Sequence, residues 1–115
     1  MTHRLVIDLP AGPIIRASDG RQVGMAARFG GELAEGSVAD GTYCVWLIDR
    51  GDAMPVVWPP GYRARLDPLE ILNPGGEVVA RGGDMLVVGG GGVPVDPSRP
   101  CSLGQPSAFF IQVIA

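Results

Sequence analysis

One segment of the sequence, TYCVWLIDR at residues 42–50, decides the fold. It is one of the three longest stretches without glycine or proline, each nine residues long, and the other two are Met1–Leu9 and Ser107–Ala115. Glycine costs about 1 kcal/mol and proline about 3 kcal/mol inside a helix, so an α-helix of ordinary length has no place in this chain. The sequence therefore predicts an almost entirely β protein.

Apolar residues occupy both faces of the segment Tyr43–Asp49, which predicts a central strand. Ser107–Ala115 has the same character, whereas His3–Leu9 alternates as a strand with one wet face does. Further strands are predicted at Gln22–Phe29, Glu32–Ala34, Met54–Trp58, Arg65–Leu72, Glu77–Arg81 and Asp84–Val88, with Gly30–Gly31 as a bulge or sharp bend.

Turn residues separate these strands. Asp49–Asp52 has the composition of a hairpin turn, and Asn73–Gly76 forms a second turn. A third, Arg81–Asp84, is predicted to join its flanking strands into a tight hairpin. After Val88, the run Gly89–Gly92 and the prolines that follow predict an irregular loop of about 18 residues.

The predicted fold is a single domain over residues 1–115, a small closed or nearly closed barrel of five to eight mainly antiparallel strands, OB-like or similar. Glycine and proline make up about a quarter of the 115 residues, yet 32 Leu, Ile, Val and Phe suffice for a core. The predicted core contains Leu5, Ile7, Val45, Leu47, Val57, Leu86, Val88, Phe109 and Ile111.

The charge and hydropathy of the chain bear on its partners. The net charge of −3 and the isoelectric point near 4.9 argue against nucleic acid, because phosphate binding requires a basic surface. A mean hydropathy of +0.23 favours a homo-oligomer or a protein partner. No apolar run approaches the roughly 20 residues that span a bilayer. Met1–Leu9 does not resemble a signal peptide, which favours a cytoplasmic location unless a leader has been removed.

Residues that could support catalysis are sparse. Cys44, Cys101 and the lone His3 are too few for a zinc site, and no metal or cofactor is predicted. Gly89–Gly92 leads into prolines rather than a helix, unlike a phosphate-binding loop. All nine basic residues are Arg, so lysine chemistry is excluded. Turn aspartates usually bond their own backbone, as expected for Asp49, Asp52, Asp84 and Asp96.

The most distinctive segment is Val56–Arg65, in which Trp58 and Tyr62 bracket Pro-Pro-Gly and are followed by Arg63 and Arg65. Aromatic rings beside arginines stack bases, sugars or the side chains of a partner, so these four residues are the candidate ligand or partner surface. The alternative is that Trp58 closes one end of the barrel, Tyr62 covers it and the arginines are solvated.

The two cysteines allow one internal disulfide. Cys101 precedes the last strand, and a loop folded back over the barrel would bring it to Cys44 and tether a segment whose apolar anchors are chiefly Val93 and Val95. The Cα atoms must then lie within about 7 Å of each other. In a reducing compartment, both cysteines would instead be ordinary buried thiols.

A group of known domains shares this order of features. Cys44 to Leu47, Val57 to Tyr62, Gly76 to Asp84, Gly89 to Gly92 and finally Cys101 together resemble small domains of unknown function in actinobacterial proteins, several of them predicted lipoproteins. The resemblance covers about 60 residues of the C-terminal half. It implies a small β-barrel exposed outside the membrane, with Cys44 and Cys101 paired, and it assigns no catalytic residue.

These observations favour a non-enzymatic binding or structural module. An OB-type barrel that binds oligosaccharide or nucleic acid is the alternative, and it rests on the Trp58 segment. A small hydrolase that uses paired carboxylates is the third possibility.

Overall fold

The computed structural model describes residues 4–12, 27–38 and 41–114. Its strands are β1 (Val6–Asp8), β2 (Ala27–Ser37), β3 (Tyr43–Asp49), β4 (Asp52–Val57), β5 (Arg63–Arg65), β6 (Glu70–Leu72), β7 (Val78–Arg81), β8 (Met85–Pro94) and β9 (Ser107–Ile114). Within these ranges the helical structure is one 3-10 turn, Pro100–Ser102, and no helix is long and apolar enough to cross a membrane. The prediction of an all-β chain is confirmed.

Five strands close into a barrel in the order β2-β3-β4-β9-β8. All of its pairings are antiparallel except β4 with β9, which run parallel. The predicted central strand β3 lies between β2 and β4, with Cys44, Val45 and Leu47 buried. The turn Arg50-Gly51 has positive φ at both residues, as the tightest hairpins require.

A second sheet, which the sequence did not separate from the barrel, has the order β1-β5-β6-β7. It shares one buried cluster with the barrel, because Ile71 of β6, Leu47 of β3 and the fully buried Trp58 belong to the same core. The predicted strand Arg65–Leu72 is in fact β5, a turn and β6. Pro68 lies in that turn and has no N–H to contribute to a ladder.

The hairpin predicted across Arg81–Asp84 is wrong, although its turn is present. The Asp84 N–H donates to the Arg81 carbonyl at 3.0 Å, and Asp84 Oδ2 accepts from the Arg81 N–H at 2.9 Å. The flanking strands then separate, because β7 pairs with β6 while β8 pairs with β2 and β9.

The glycine run is also corrected, because Gly89–Gly92 lies within β8 and not in a loop. Gly90 pairs with Ile111 after a bulge, and a Cβ at Gly90 would lie 1.7 Å from the Phe110 carbonyl oxygen. Glycine is therefore required for a close approach of two backbones. The irregular connection begins only after Pro94 and covers residues 95–106.

Two further expectations need revision. The predicted bulge at Gly30–Gly31 is wrong, because both glycines lie in register inside one strand, β2, which pairs with β8 up to Glu32 and with β3 from Glu32 onward. Residues 22–26 of the predicted strand are outside the described ranges. Of the predicted core, Leu5 is 54% exposed and Ile7 is half-buried, because β1 is an edge strand, whereas the other seven residues are buried.

Candidate functional site

The structure does not place the four residues of the Trp58 segment on one exposed surface. Trp58 is fully buried, and its ring stacks on Tyr62 with centroids 6.0 Å apart. Trp58 Nε1 is buried and has no hydrogen-bond partner among the residues that the structure describes. Trp58 is thus a core residue, and it is not available to stack on a ligand.

Arg65 is engaged within the chain by a buried carboxylate. Glu70 Oε1 accepts from Arg4 Nη1 at 2.6 Å and lies 2.8 Å from Arg65 Nη2, and Oε2 lies 3.6 Å from Arg81 Nε. Hydrogen bonds from Arg4 and then Arg65 lower the pKa of the Glu70 carboxyl below its ordinary value. Arg65 therefore joins the strands of the second sheet. Of the four residues predicted to form a surface, Tyr62 and Arg63 are partly exposed and make no ion pair with any described residue.

The structure places a disulfide between Cys44 and Cys101, whose Cα atoms are 5.4 Å apart. Cys44 is on β3 and Cys101 is in the 3-10 turn of the 95–106 loop. The Trp46 indole N–H donates to the Cys101 carbonyl at 3.1 Å beside it. Among the described residues, the disulfide and the Trp46 hydrogen bond thus hold the loop over the outer surface of the barrel.

A small apolar cluster lies beneath this loop, separate from the main core. We call it the outer cluster, and it consists of Val57, Val93, Ala108 and Phe110 with the partly buried Val95. Its strand residues alternate with core residues: Phe109 and Ile111 are in the main core, whereas Phe110 between them is in the outer cluster. The barrel strands are therefore covered on both faces here, as the pattern of β9 predicts.

A groove of about 500 Å³ lies between the 95–106 loop and the barrel, and "the groove" below always means this one. It is lined by Pro10, Ala11, Thr42, Pro55, Val56, Val57, Val95, Asp96, Arg99, Pro100, Cys101, Ser102 and Ala108. Pro10 and Ala11 form one wall of the groove. Backbone hydrogen bonds from Gly12 N to Trp58 O and from Trp58 N to Pro10 O, both 2.8 Å, hold this wall against the end of β4. The walls are mainly prolyl and aliphatic, with polar groups at the loop side.

Two charged residues of the loop line the groove. Asp96 Oδ1 accepts from the Ser98 hydroxyl at 2.6 Å and from the Ser98 N–H at 2.9 Å, and these bonds lower the pKa of the Asp96 carboxyl. Arg99 is exposed and makes no ion pair with any described residue. The described lining of the groove therefore has one guanidinium group without an ion pair, whose charge also helps to lower the Asp96 pKa, and one carboxylate that is hydrogen-bonded within its own turn.

The groove has few of the groups that catalysis requires. The lining residues that the structure describes supply the hydroxyl groups of Thr42 and Ser102, one carboxylate and no histidine. Within residues 4–12, 27–38 and 41–114, no three His, Cys, Asp or Glu side chains are close enough to hold a metal ion. His3 lies outside those ranges. As predicted for turn aspartates, Asp84 and Asp96 bond their own backbone.

Sequence reasoning missed the groove because its lining comes from five separate segments. The one available signal was the combination of Cys101 with the proline-rich stretch before it, which indicated a loop folded over the barrel. No protein-family model, curated protein or solved structure matches the chain. Functional conclusions therefore rest on the site itself.

Proposed function

We propose that the protein is a non-enzymatic binding module that holds a peptide segment of a protein partner in the groove. The observation that carries this proposal is the position of the groove on the barrel. Counted in chain order, the barrel strands are arranged one-two-three-five-four, the order of an OB-type barrel. OB-type barrels bind their ligands on strands two and three and with the loops that join strands one to two and four to five.

The groove overlaps that position at strand three and at the two loops. Thr42 belongs to the connection between the first and second barrel strands, and Pro55–Val57 ends the third. The 95–106 loop joins the fourth strand to the fifth and supplies the opposite wall. The disulfide fixes this loop at a set distance from β3, so the groove is formed before any ligand arrives, which reduces the entropy lost on binding.

The lining favours a peptide over the other ligands of such barrels. Nucleic acid and sugars are usually held by aromatic stacking platforms, and single strands also need a basic channel. Among the residues that the structure describes, the groove lining has no aromatic side chain and one arginine, in a protein of net charge −3. Its prolyl and aliphatic walls match aliphatic or prolyl side chains, and Arg99 provides a site for a carboxylate beside them.

A carboxylate-dependent hydrolase has less support. Such an enzyme requires two carboxyl groups whose pKa values are driven apart. Asp96 is the one carboxylate among the described residues of the groove lining, and its pKa is lowered. Glu70 is surrounded by Arg4, Arg65 and Arg81, and its pKa is lowered too. Neither carboxyl group is suited to act as a general acid.

Selection of peptides tests the proposal. A phage-displayed library of random peptides is selected on the immobilised protein, and a selected peptide is titrated into isotope-labelled protein. We expect shifts at the amides of Thr42, Val57 and Ser102. Ala11→Trp, which fills the groove, and Arg99→Glu are each expected to raise Kd by about tenfold or more.

Matched controls are Ala53→Trp on β4 and Arg50→Glu in the hairpin turn, which are expected to leave Kd unchanged. A single-stranded thymidine oligonucleotide and a chito-oligosaccharide are titrated in parallel at low salt. Peptides whose shifts map away from the groove contradict the proposal. Binding of the oligonucleotide or the sugar in place of any peptide contradicts it too and supports the alternative.

We infer further that the protein works in an oxidising compartment, where disulfides persist. This inference fits the resemblance to domains of actinobacterial lipoproteins. Alkylation of free thiols in intact cells before lysis tests it. The expected result is that Cys44 and Cys101 escape labelling until a reductant is added, and two labelled thiols in untreated cells contradict the inference.

Self-association is also proposed, in line with the positive mean hydropathy. It requires a surface other than the groove, which is too small to receive a folded copy of the chain.

A further inference from the structure

Three of the most exposed large apolar side chains share one outer surface of the barrel. Met85 is 74% exposed, Val87 46% and Val113 59%. Met85 and Val87 are two residues apart on β8, so they point to the same side. Gly89, two residues further, pairs with Val113 on β9, which places Val113 on that side too. Apolar groups of this size on adjacent strands form a continuous patch rather than scattered residues.

The neighbouring strand β2 adds two opposite charges to this patch. Arg28 pairs with Gly89, Gly30 with Val87 and Glu32 with Met85. All three β2 residues are exposed, and Phe29 between them packs against the main core, so Arg28, Gly30 and Glu32 face outward. We call the surface formed by these residues with Met85, Val87 and Val113 the β2–β8 face.

The charges of the β2–β8 face have no partners inside the chain. In the described structure neither Arg28 nor Glu32 makes an ion pair or a side-chain hydrogen bond. They are four residues apart on one strand, a separation of about 13 Å, which is too far for them to pair with each other. Each therefore remains available to a charge on another molecule.

The arrangement is self-complementary, and we propose that the β2–β8 face is a two-fold interface between two copies of this chain. The two-fold axis lies between the β2–β8 faces of the two copies and runs parallel to the line from Gly30 to Val87. Rotation about this axis brings Arg28 opposite Glu32 of the second copy. The same axis sets Val87 against Val87 of the second copy, and Met85 beside Val113 of the second copy. One rotation thus pairs both charges and covers all three apolar side chains.

Gly30 supports close approach at the centre of this face. Its φ is not positive, and a Cβ added there would have the Leu86 carbonyl oxygen, at 3.7 Å, as its nearest contact. The chain's own packing therefore does not require glycine at this position, in contrast to Gly90. Glycine inside a strand weakens it, and a site where another backbone approaches closely is one reason for its presence.

A charge-exchange experiment tests the interface. Arg28→Glu gives a face with two acidic residues, and Glu32→Arg gives a face with two arginines. Each variant alone is expected to dimerise at least about tenfold more weakly than the natural chain, because like charges then meet across the axis. An equimolar mixture of the two is expected to recover association, because every acidic residue then faces an arginine.

The readout is the mass in solution by light scattering and sedimentation over a wide dilution series, relative to the 12.0 kDa monomer. Met85→Glu, which puts a charge in the apolar part, is expected to weaken the dimer by a similar factor. Arg50→Glu and Glu35→Arg repeat the charge changes at exposed positions away from the face and are expected to dimerise normally. Circular dichroism verifies that each variant is folded.

Three results overturn the proposal: a natural chain that stays monomeric at the highest concentration, single variants that associate as the natural chain does, or a mixture that stays monomeric. Peptide binding in the groove is unaffected by any of them, because the two surfaces share no residue.

Discussion

The same barrel strands contribute to two apolar clusters that are held together in different ways. Among the described residues, fifteen buried ones from both sheets form the main core, and strand pairing closes the barrel around it. The outer cluster has four buried residues, and the proline-rich 95–106 loop covers part of it. The core is stabilised by burial, whereas the loop above the outer cluster depends on the disulfide and on the Trp46 hydrogen bond. A surface layer can therefore be ordered with few apolar anchors.

The largest effect is expected in the main core, from Trp58→Ala. Removing this fully buried ring leaves a cavity at the junction of the two sheets, and the loss of stability is about 3–5 kcal/mol. Trp58→Phe is the control. It keeps most of the apolar volume and removes the unpartnered Nε1–H, so the loss is expected to be much smaller. Denaturant unfolding measures both, and equal losses would contradict this assignment.

The sequence was most informative where both faces of a strand are apolar. The segment Tyr43–Asp49 predicted the centre of the barrel, because only a strand that is covered on both sides buries both sets of side chains. The prediction of Leu5 as a core residue is wrong because the alternation of His3–Leu9 shows which face is apolar, but not that Leu5 lies just before β1, an edge strand of a small sheet with little covering it.

The choice of partner strands could not be predicted from local sequence. Glu77–Arg81 and Asp84–Val88 flank a good turn, yet they enter different sheets, since pairing depends on distant residues. The prediction of a loop at Gly89–Gly92 is wrong for a similar reason. Glycine is poor in isolated strands, and its value here arises from the closeness of β9, which the sequence of β8 does not reveal.

The second prediction concerns the outer layer. Replacing both Cys44 and Cys101 by Ala is expected to lower stability by about 2–4 kcal/mol, chiefly because the unfolded chain gains freedom. In the folded state the effect should be local: amide exchange rises in the 95–106 loop, while the barrel keeps its circular dichroism. Hydrogen exchange with mass spectrometry reads this out.

Trp46→Phe is the matched control for the covalent link. It removes only the hydrogen bond to the Cys101 carbonyl, which is worth about 1 kcal/mol, and leaves the disulfide in place. Loop exchange should therefore rise less than in the double cysteine variant. If loop exchange is the same in the natural chain and in the double variant, the outer cluster alone is sufficient to hold the loop.

The third prediction separates two glycines of one run. Gly90→Ala forces a methyl group against the Phe110 carbonyl, and we expect a loss of about 1–3 kcal/mol as the β8–β9 ladder shifts. Gly92→Ala meets no atom within 4 Å and is expected to change stability by less than about 0.5 kcal/mol. Thermal unfolding compares the two. Similar losses would show that Gly90 is not at a close backbone approach.

The smallest effects are expected from acid, and they again distinguish the two regions. The pKa of Glu70 is lowered from an ordinary 4.5, so its ionised form stabilises the fold above that pH. This contribution is lost as the pH falls through 4.5 and on toward the lower pKa of the folded state. Glu70→Gln should unfold more easily than the natural chain at neutral pH, and the two should converge on acidification, as followed by thermal unfolding.

The pKa of Asp96 is shifted in the same direction as that of Glu70, because the hydrogen bonds from Ser98 lower it from an ordinary 3.8. Asp96, however, lies in an exposed turn of the 95–106 loop. Its protonation should loosen that turn without weakening the barrel, since no residue of the main core depends on it. Asp96→Asn is therefore expected to leave the midpoint of thermal unfolding almost unchanged at every pH, while exchange at Ser98 loses its acid dependence. A shift in the midpoint as large as that of Glu70→Gln would mean that the outer loop and the core unfold as one unit, and the distinction between them would fail.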